Sequence, residues 1–178
     1  MLNKIKLAFY YFIVSKLPHS RLLPVINKFR CWYVHKVLKV IVDEDGNSKF
    51  QHNVYIGNGK RVKIGFGCHI NENVFIQAAT IGDQVLIAPN VAILGNSHVA
   101  SDINTPIVLQ GETDYEIAII GDGAWLGRNV IVMPGVCIGR HTIIGAGAVV
   151  TKDIPDFAVA VGVPAKIIKY RNREVNNG

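Results

Sequence analysis

The sequence predicts an all-β solenoid, a parallel β-helix wound from six-residue blocks, with an N-terminal α-helical segment and one extruded loop. Three observations predict it. From Ile120 to Pro155 an aliphatic residue heads every block of six, at Ile120, Leu126, Val132, Ile138, Ile144 and Val150, usually followed by glycine. Four places after each leading residue stands a small or short β-branched one, at Ala124, Val130, Val136, Thr142 and Ala148, a size rule that the larger Ile154 breaks. Earlier in the chain the same pattern runs through Ile64, Ile70 and Ile76, then through Ile81, Ile87 and Ile93, with a five-residue step between Ile76 and Ile81. Neither the period of about 3.6 of a helix nor the period of about 2 of a lone strand sustains a repeat of six.

Each block reads as one short strand plus a corner, and three blocks close a triangular coil. The leading aliphatic points into a narrow prism, and the small residue fits the same cramped interior. The residue after the leading aliphatic is expected at a tight corner, where Gly or Asn tolerates positive φ. Stacked coils pair each strand with the one a full coil away, so backbone hydrogen bonds run along the axis.

Taken in order, residues 1–17 have a short basic start and an apolar run too short to span a bilayer. Lys4, Lys6 and Lys16 around Phe9, Tyr10, Tyr11 and Phe12 suit a helix lying on a membrane surface. They suit better a helix that covers the open end of the solenoid, and the two roles are compatible. Pro18 breaks the segment. Ser20 is then expected to cap a second helix with Pro24 in its first turn, burying Ile26, Phe29, Tyr33 and Val37, with Arg30, Lys36 and Lys39 elsewhere. Asp43 to Asn47 reads as a turn, after which the coils begin at Val54 and Ile56. Residues 97–116 abandon the repeat for a polar loop, and loops of this length in compact folds usually carry function. The reading is a helical cap over 1–45, a β-helix over 46–172 containing that loop, and a polar tail over 173–178.

Of 178 residues, 49% are hydrophobic and only 18% charged, which excludes a disordered chain. The net charge of +6 comes from Lys and Arg gathered at the two ends, without an interleaved aromatic platform, so nucleic acid is not an expected partner. Cys31, Cys68 and Cys137 are odd in number, widely spaced and lack metal-ligand spacing. Reduced thiols in a cytoplasmic protein follow, with Cys68 and Cys137 as buried apolar residues.

The stretches IGDQVLIAPNVAI, His98 opening the loop, IGDGAWLGRNVIVMPGVCIG, IGAGAVVTKDIP and GVPAKIIKY resemble the hexapeptide-repeat acyltransferases. Within that family they are similar to sugar O-acetyltransferases of the maltose and galactoside type, and the N-terminal stretch resembles enzymes of capsule and O-antigen synthesis. The likeness covers about residues 54–172. It implies a left-handed coil, a homotrimer, acetyl-CoA as acyl donor with no metal, and a sugar or polysaccharide-precursor acceptor. It implies a cytoplasmic protein, peripheral at the inner face of the membrane if residues 1–17 meet lipid.

His98 matches the family's catalytic His, and the chemistry requires one, since a sugar hydroxyl attacks a thioester only as its proton leaves. By resemblance Trp125 lies by the pantetheine arm, and Gly127 with the Arg128 peptide N–H forms the oxyanion side. Relatives often carry Ser where this chain has Arg128, so only the backbone role transfers. Ala146 matches a backbone contact to the cofactor, and Thr151 and Lys152 match residues near its adenosine end. Lys166 and Lys169 suit its phosphates. Asn71 resembles an acceptor-binding Asn, although the block after it is shorter here, and Asp102 on the loop suits a hydroxyl.

Rival readings are transfer to an amino-sugar amine, serine or antibiotic, and an inactive scaffold. A further rival is a carbonic-anhydrase-like metalloprotein, which would need His52, His69 and His98 to converge.

Overall fold

The structure, a computed structural model, describes residues 2–41, 47–57 and 59–171. The Asp43–Gly46 part of the expected turn, and the tail beyond Arg171, lie outside the described residues.

Three parallel sheets form the walls of a prism. The first face stacks Lys49–Phe50, His69–Ile70, Leu86–Ile87, Trp125–Leu126, Ile143–Ile144 and Ala158–Val161. The second stacks Tyr55–Ile56, Phe75–Ile76, Ala92–Ile93, Ile131–Val132 and Val149–Val150. The third stacks Val62–Ile64, Ala79–Ile81, Ala118–Ile120 and Cys137–Ile138. Register is maintained between coils: Leu126 pairs with Ile87 on one side and Ile144 on the other.

The aliphatic at each block head is buried, as the spacing requires: Ile120, Leu126, Val132, Ile138, Ile144 and Val150 are at most 1% exposed. Ala124, Val130, Thr142 and Ala148 are fully buried beside them. Ile154 is no exception to the small-residue rule. It bridges to Ile138 and is itself the inward residue of the third face, reached after a step of four rather than six. The repeat also starts earlier than Val54, because Phe50 is already an inward residue and Ile41 bridges to Ile64. Cys68 is buried, whereas Cys137 is half-buried on the outside of the third face, and no disulfide links the three cysteines. Truncating Ile144 to Ala should cost about 2–5 kcal/mol, the range for a methyl-rich side chain removed from a tight core. Urea unfolding of the variant measures this, and a loss under about 0.5 kcal/mol, typical of surface positions, would contradict the buried register.

The corners differ from expectation. Positive φ falls not on the residue after the leading aliphatic but two places further on, as at Gly123, Asn129, Gly135 and Gly147. The glycine that follows the aliphatic serves close approach instead: a Cβ on Gly127 would lie 2.6 Å from the Ala146 backbone nitrogen one coil away. On the corner between the first and second faces the left-handed positions are Asn53, Asn73, Asn90 and Asn129, then Gly147 in the last coil, and the four Asn side chains form a ladder. Each amide donates to the carbonyl of the next, at 3.1, 3.2 and 3.1 Å. Asn takes this backbone region at little cost, and stacking then links the coils outside the prism.

The N-terminal segment covers the open end of the solenoid. Helix α1 spans Leu2–Phe12 and α2 spans Pro24–Trp32, followed by a π-helical turn at Tyr33–Val37. The first coil has no neighbour above it, so its backbone groups need other partners. Tyr10 Oη donates to the Val54 carbonyl at 2.8 Å, Tyr11 Oη donates to that of Ile56, and Asn27 Oδ1 accepts from the Phe50 N–H at 2.9 Å. Burial pushes the Tyr11 phenol up to about 12, and that of Tyr10 further, so both stay neutral donors.

Two expectations for α2 fail. Ser20 is not its cap: the residue before Pro24 is Leu23, and Ser20 bonds to the Gln51 side chain instead. The buried face also carries a charge, since Phe29 is 40% exposed while Arg30 is wholly buried. Arg30 donates to the carbonyls of Val14, Phe50, Leu17 and Pro18 at 3.3, 2.9, 2.7 and 3.1 Å, tying α2 and residues 14–18 to the first coil. Burial lowers its pKa from the ordinary value, but a guanidinium remains protonated in proteins.

At the other end the parallel ladder stops. Lys166–Tyr170 returns antiparallel along Ala158–Val161 and occupies the last edge of the first face.

Candidate active site

The loop leaves the corner between the second and third faces, and His98 stands at its root. A short antiparallel pairing builds that root: Val99 N–H donates to the Gly111 carbonyl at 3.1 Å and Thr113 N–H to that of Ser97 at 2.9 Å. His98 bridges Glu112 in this ladder. A side-chain chain braces it from the prism, with Gln77 Nε2 donating to Asn96 Oδ1 at 2.5 Å and Asn96 Nδ2 donating to Glu112 Oε2 at 2.8 Å. The sequence reading missed Gln77 and Asn96. Their signal was the five-residue step after Ile76, which removes a residue from the corner where the loop departs. The His98 ring is exposed and makes no hydrogen bond to the described residues.

Asp102 sits further out, and both its carboxylate oxygens are engaged within the loop. They accept from Asn104 N–H at 2.9 Å and Thr105 Oγ1 at 2.6 Å, and these bonds hold its pKa below the usual carboxylate value. The tip beyond it is apolar and exposed, with Ile103, Val108 and Leu109 at 94, 82 and 72%.

The residues assigned to the acyl donor form a second group. Trp125, 46% exposed, stands on the first face, and Gly127, Arg128 and Ala146 follow on the corner it shares with the second face. Asn71 lies on the same corner nearer the N-terminal end. Its Nδ2 donates to the Ile87 carbonyl at 2.8 Å, which fixes the amide and leaves Oδ1 as the acceptor.

This corner is chemically distinct. On the corner between the third and first faces, the peptide N–H two places after the leading aliphatic is closed by a carboxylate from the next coil. Asp83 takes the Phe66 N–H at 3.1 Å, Asp122 that of Asp83 at 2.9 Å, and Asp156 that of Arg140 at 2.9 Å; Asp122's own N–H is the exception there. At the equivalent places by Trp125 the chain has Arg128 and Ala146. No carboxylate reaches them, so among the described residues their N–H groups have no acceptor. Two open donors stacked on consecutive coils suit an anionic or carbonyl-bearing ligand lying along the axis.

Thr151 and Lys152 are exposed on the corner between the second and third faces, the one the loop leaves, while Lys166 and Lys169 are exposed on the terminal antiparallel strand. Within one chain, therefore, His98 and Lys152 lie on one edge of the second face and Arg128 and Ala146 on the other, with Trp125 just beyond them on the first face. A groove of ≈ 610 Å³ on the third face, around Ile119, Cys137 and the Arg140–Asp156 ion pair, contains none of these residues. His52, His69 and His98 do not converge: His52 packs on His19 with ring centroids 5.6 Å apart, His69 pairs with Leu86, and among the described residues no three metal-ligating side chains meet.

A three-walled parallel solenoid that interrupts its coils for one loop defines the hexapeptide-repeat β-helix class. The family described as bacterial transferase hexapeptide (six repeats) matches residues 117–152. Over 127 residues the chain is 40% identical to galactoside O-acetyltransferase of Escherichia coli K12, a match covering 70% of this chain and 59% of that protein. It therefore spans rather more than half the length of that relative. Over 151 residues it is 34% identical to a proposed lipopolysaccharide biosynthesis O-acetyl transferase, WbbJ, of the same organism, covering 75% of this chain and 76% of WbbJ. A galactoside acetyltransferase solved in complex with coenzyme A superposes with TM-score 0.79 at 29% identity, over 96% of this chain and 81% of that one. The chain belongs to the hexapeptide-repeat acetyltransferases, and its solenoid is a left-handed parallel β-helix.

Proposed function

We infer that the protein is a sugar O-acetyltransferase that uses acetyl-CoA and takes its acceptor from surface-polysaccharide synthesis. The observation that carries this is the separation of an exposed loop-root imidazole from a corner with two open peptide donors, on opposite edges of one face. Likeness to galactoside acetyltransferase and to WbbJ supports the chemistry and the pathway.

Two edges that cannot meet within a chain meet between chains, so the reading requires a homotrimer with one site per interface. A threefold ring gives three equivalent, closed contacts. The exposed apolar loop tip and the outward Trp125 and Leu86 are surfaces such a neighbour would cover. His98 of one chain removes the acceptor proton as the hydroxyl oxygen bonds to the thioester carbonyl carbon. The Arg128 N–H of the next chain stabilises the charge developing on the carbonyl oxygen. Collapse breaks the carbon–sulfur bond, and the imidazolium returns its proton to the leaving thiolate. Ala146 N–H, Thr151, Lys152, Lys166 and Lys169 hold the donor, and Asn71 Oδ1 accepts from an acceptor hydroxyl. The protein works in the cytoplasm, with residues 1–17 at the membrane surface; among the described residues no helix is long and apolar enough to cross it.

Subunit mixing tests the shared site. His98→Ala chains lack the base, and Ala146→Trp chains carry a blocked donor corner. A substitution at Gly127 is unsuitable because any side chain there strikes the next coil. Each variant alone should be nearly inactive in a thiol-release assay with acetyl-CoA and a panel of glycosides. Mixtures refolded into hybrid trimers should regain part of the activity. Hybrids as inactive as their parents would mean that each site lies within one chain.

A further inference from the structure

The N-terminal cap carries a second apolar surface, turned away from the solenoid. In α1, Leu7 and Tyr10 pack into the core, as does Val14 in the turn that follows it. Ile5, Phe9 and Phe12 recur at i, i+4 and i+7 on the opposite side of that helix and are 59, 42 and 81% exposed. In and before α2, Leu22, Val25, Phe29 and Trp32 recur at i, i+3, i+7 and i+10 and are 74, 66, 40 and 52% exposed. The two stripes join: the Phe9 ring centroid lies 5.5 Å from that of Tyr33, which lies 6.4 Å from Phe29, itself stacked at 5.8 Å on Trp32. Covering the first coil needs only the inner side of each helix, so capping leaves the outer stripes unexplained.

Charge identifies what meets them. Residues 1–41 contain eight Lys and Arg and no Asp or Glu. Lys4, Arg21, Lys28 and Lys36 are exposed on these same two helices and their flanks. A second copy docking face to face would set like charges against each other, whereas an anionic surface is attracted by every one of them.

We propose that the outer face of α1 and α2 together docks on the surface of an anionic lipid bilayer. The aromatic and aliphatic side chains enter the boundary between headgroups and acyl chains, and the basic residues meet lipid phosphates. This deepens the membrane clause of the proposed function, extending it from residues 1–17 to a surface built by both helices. It does not depend on the acetyl-transfer chemistry.

Flotation of the full chain with vesicles tests it. The protein should float with mixed phosphatidylcholine–phosphatidylglycerol vesicles and not with pure phosphatidylcholine. Binding should weaken at high salt, as the screening length shrinks to about 3 Å at 1 M. Phe12→Ser with Trp32→Ser should lower binding by about tenfold or more, and Lys4→Glu with Lys28→Glu should do the same. Both variants should keep wild-type circular dichroism and wild-type transfer to a soluble acceptor, which separates failure of docking from failure of the chemistry. The proposal is overturned if the wild type stays unbound at low salt, floats equally with both vesicle types, or is matched by the double-serine variant. It is overturned equally if the wild type, without lipid, forms larger assemblies that the double-serine variant dissolves, since a second copy would then cover the face.

Discussion

Replacing His98 with alanine should lower acetyl transfer by about 10²–10⁴-fold, the usual share of a positioned general base. The fold should not change, because the ring is exposed and the loop root is held by backbone bonds at Val99 and Thr113 together with the Gln77–Asn96–Glu112 chain. Steady-state thiol release measures the loss, and circular dichroism with sedimentation checks that assembly is intact. Turnover near wild type would remove His98 from the mechanism. The proposed site would then need another base at the loop root.

Arg30→Ala should destabilise the N-terminal cap by about 3–4 kcal/mol. The substitution removes charge-assisted hydrogen bonds from four carbonyls, at Val14, Leu17, Pro18 and Phe50, and leaves a cavity between α2 and the first coil. Native-state amide exchange is the suitable readout, because a solenoid can open at one end while the remaining coils stay folded. Protection should fall at Tyr55 and Gly57, whose N–H groups bond to the next coil, and persist at Trp125 and Ile131. Uniform loss along the whole chain would show that the cap and solenoid unfold as one unit.

Sequence and structure agree where one residue type answers one constraint. The prism interior admits only small and aliphatic side chains, so the period of six placed Ile120 through Val150 in the core directly. Ile154 misled because the last coil shortens one wall, which changes the spacing but not the buried role. Arg30 misled for a different reason. A charged residue on a helix is ordinarily solvated, and only the folded arrangement brings four carbonyls from two separate segments, residues 14–18 and Phe50, around it. The Asn ladder was equally hidden, since Asn53, Asn73, Asn90 and Asn129 are unevenly spaced in sequence and become a column only when the coils stack.

The site divides in the same way. His98 stands out as a candidate because the repeat stops where it stands. The open N–H groups of Arg128 and Ala146 do not, because what distinguishes their corner is the carboxylate missing from the coil below. That comparison exists only between stacked walls.

A solenoid is in effect a polymer whose monomer is the coil, and nothing in its core tells it when to stop growing. Here growth is terminated chemically at both ends. Tyr10, Tyr11, Asn27 and Arg30 consume the bonding capacity of the first rung, and Lys166–Tyr170 reverses direction across the last. Length is thus a property of the terminators rather than of the repeat. Whole coils are the natural unit by which such a chain can be lengthened or shortened in evolution, while either end group is indispensable: without it, the bare rung becomes a template for the next molecule.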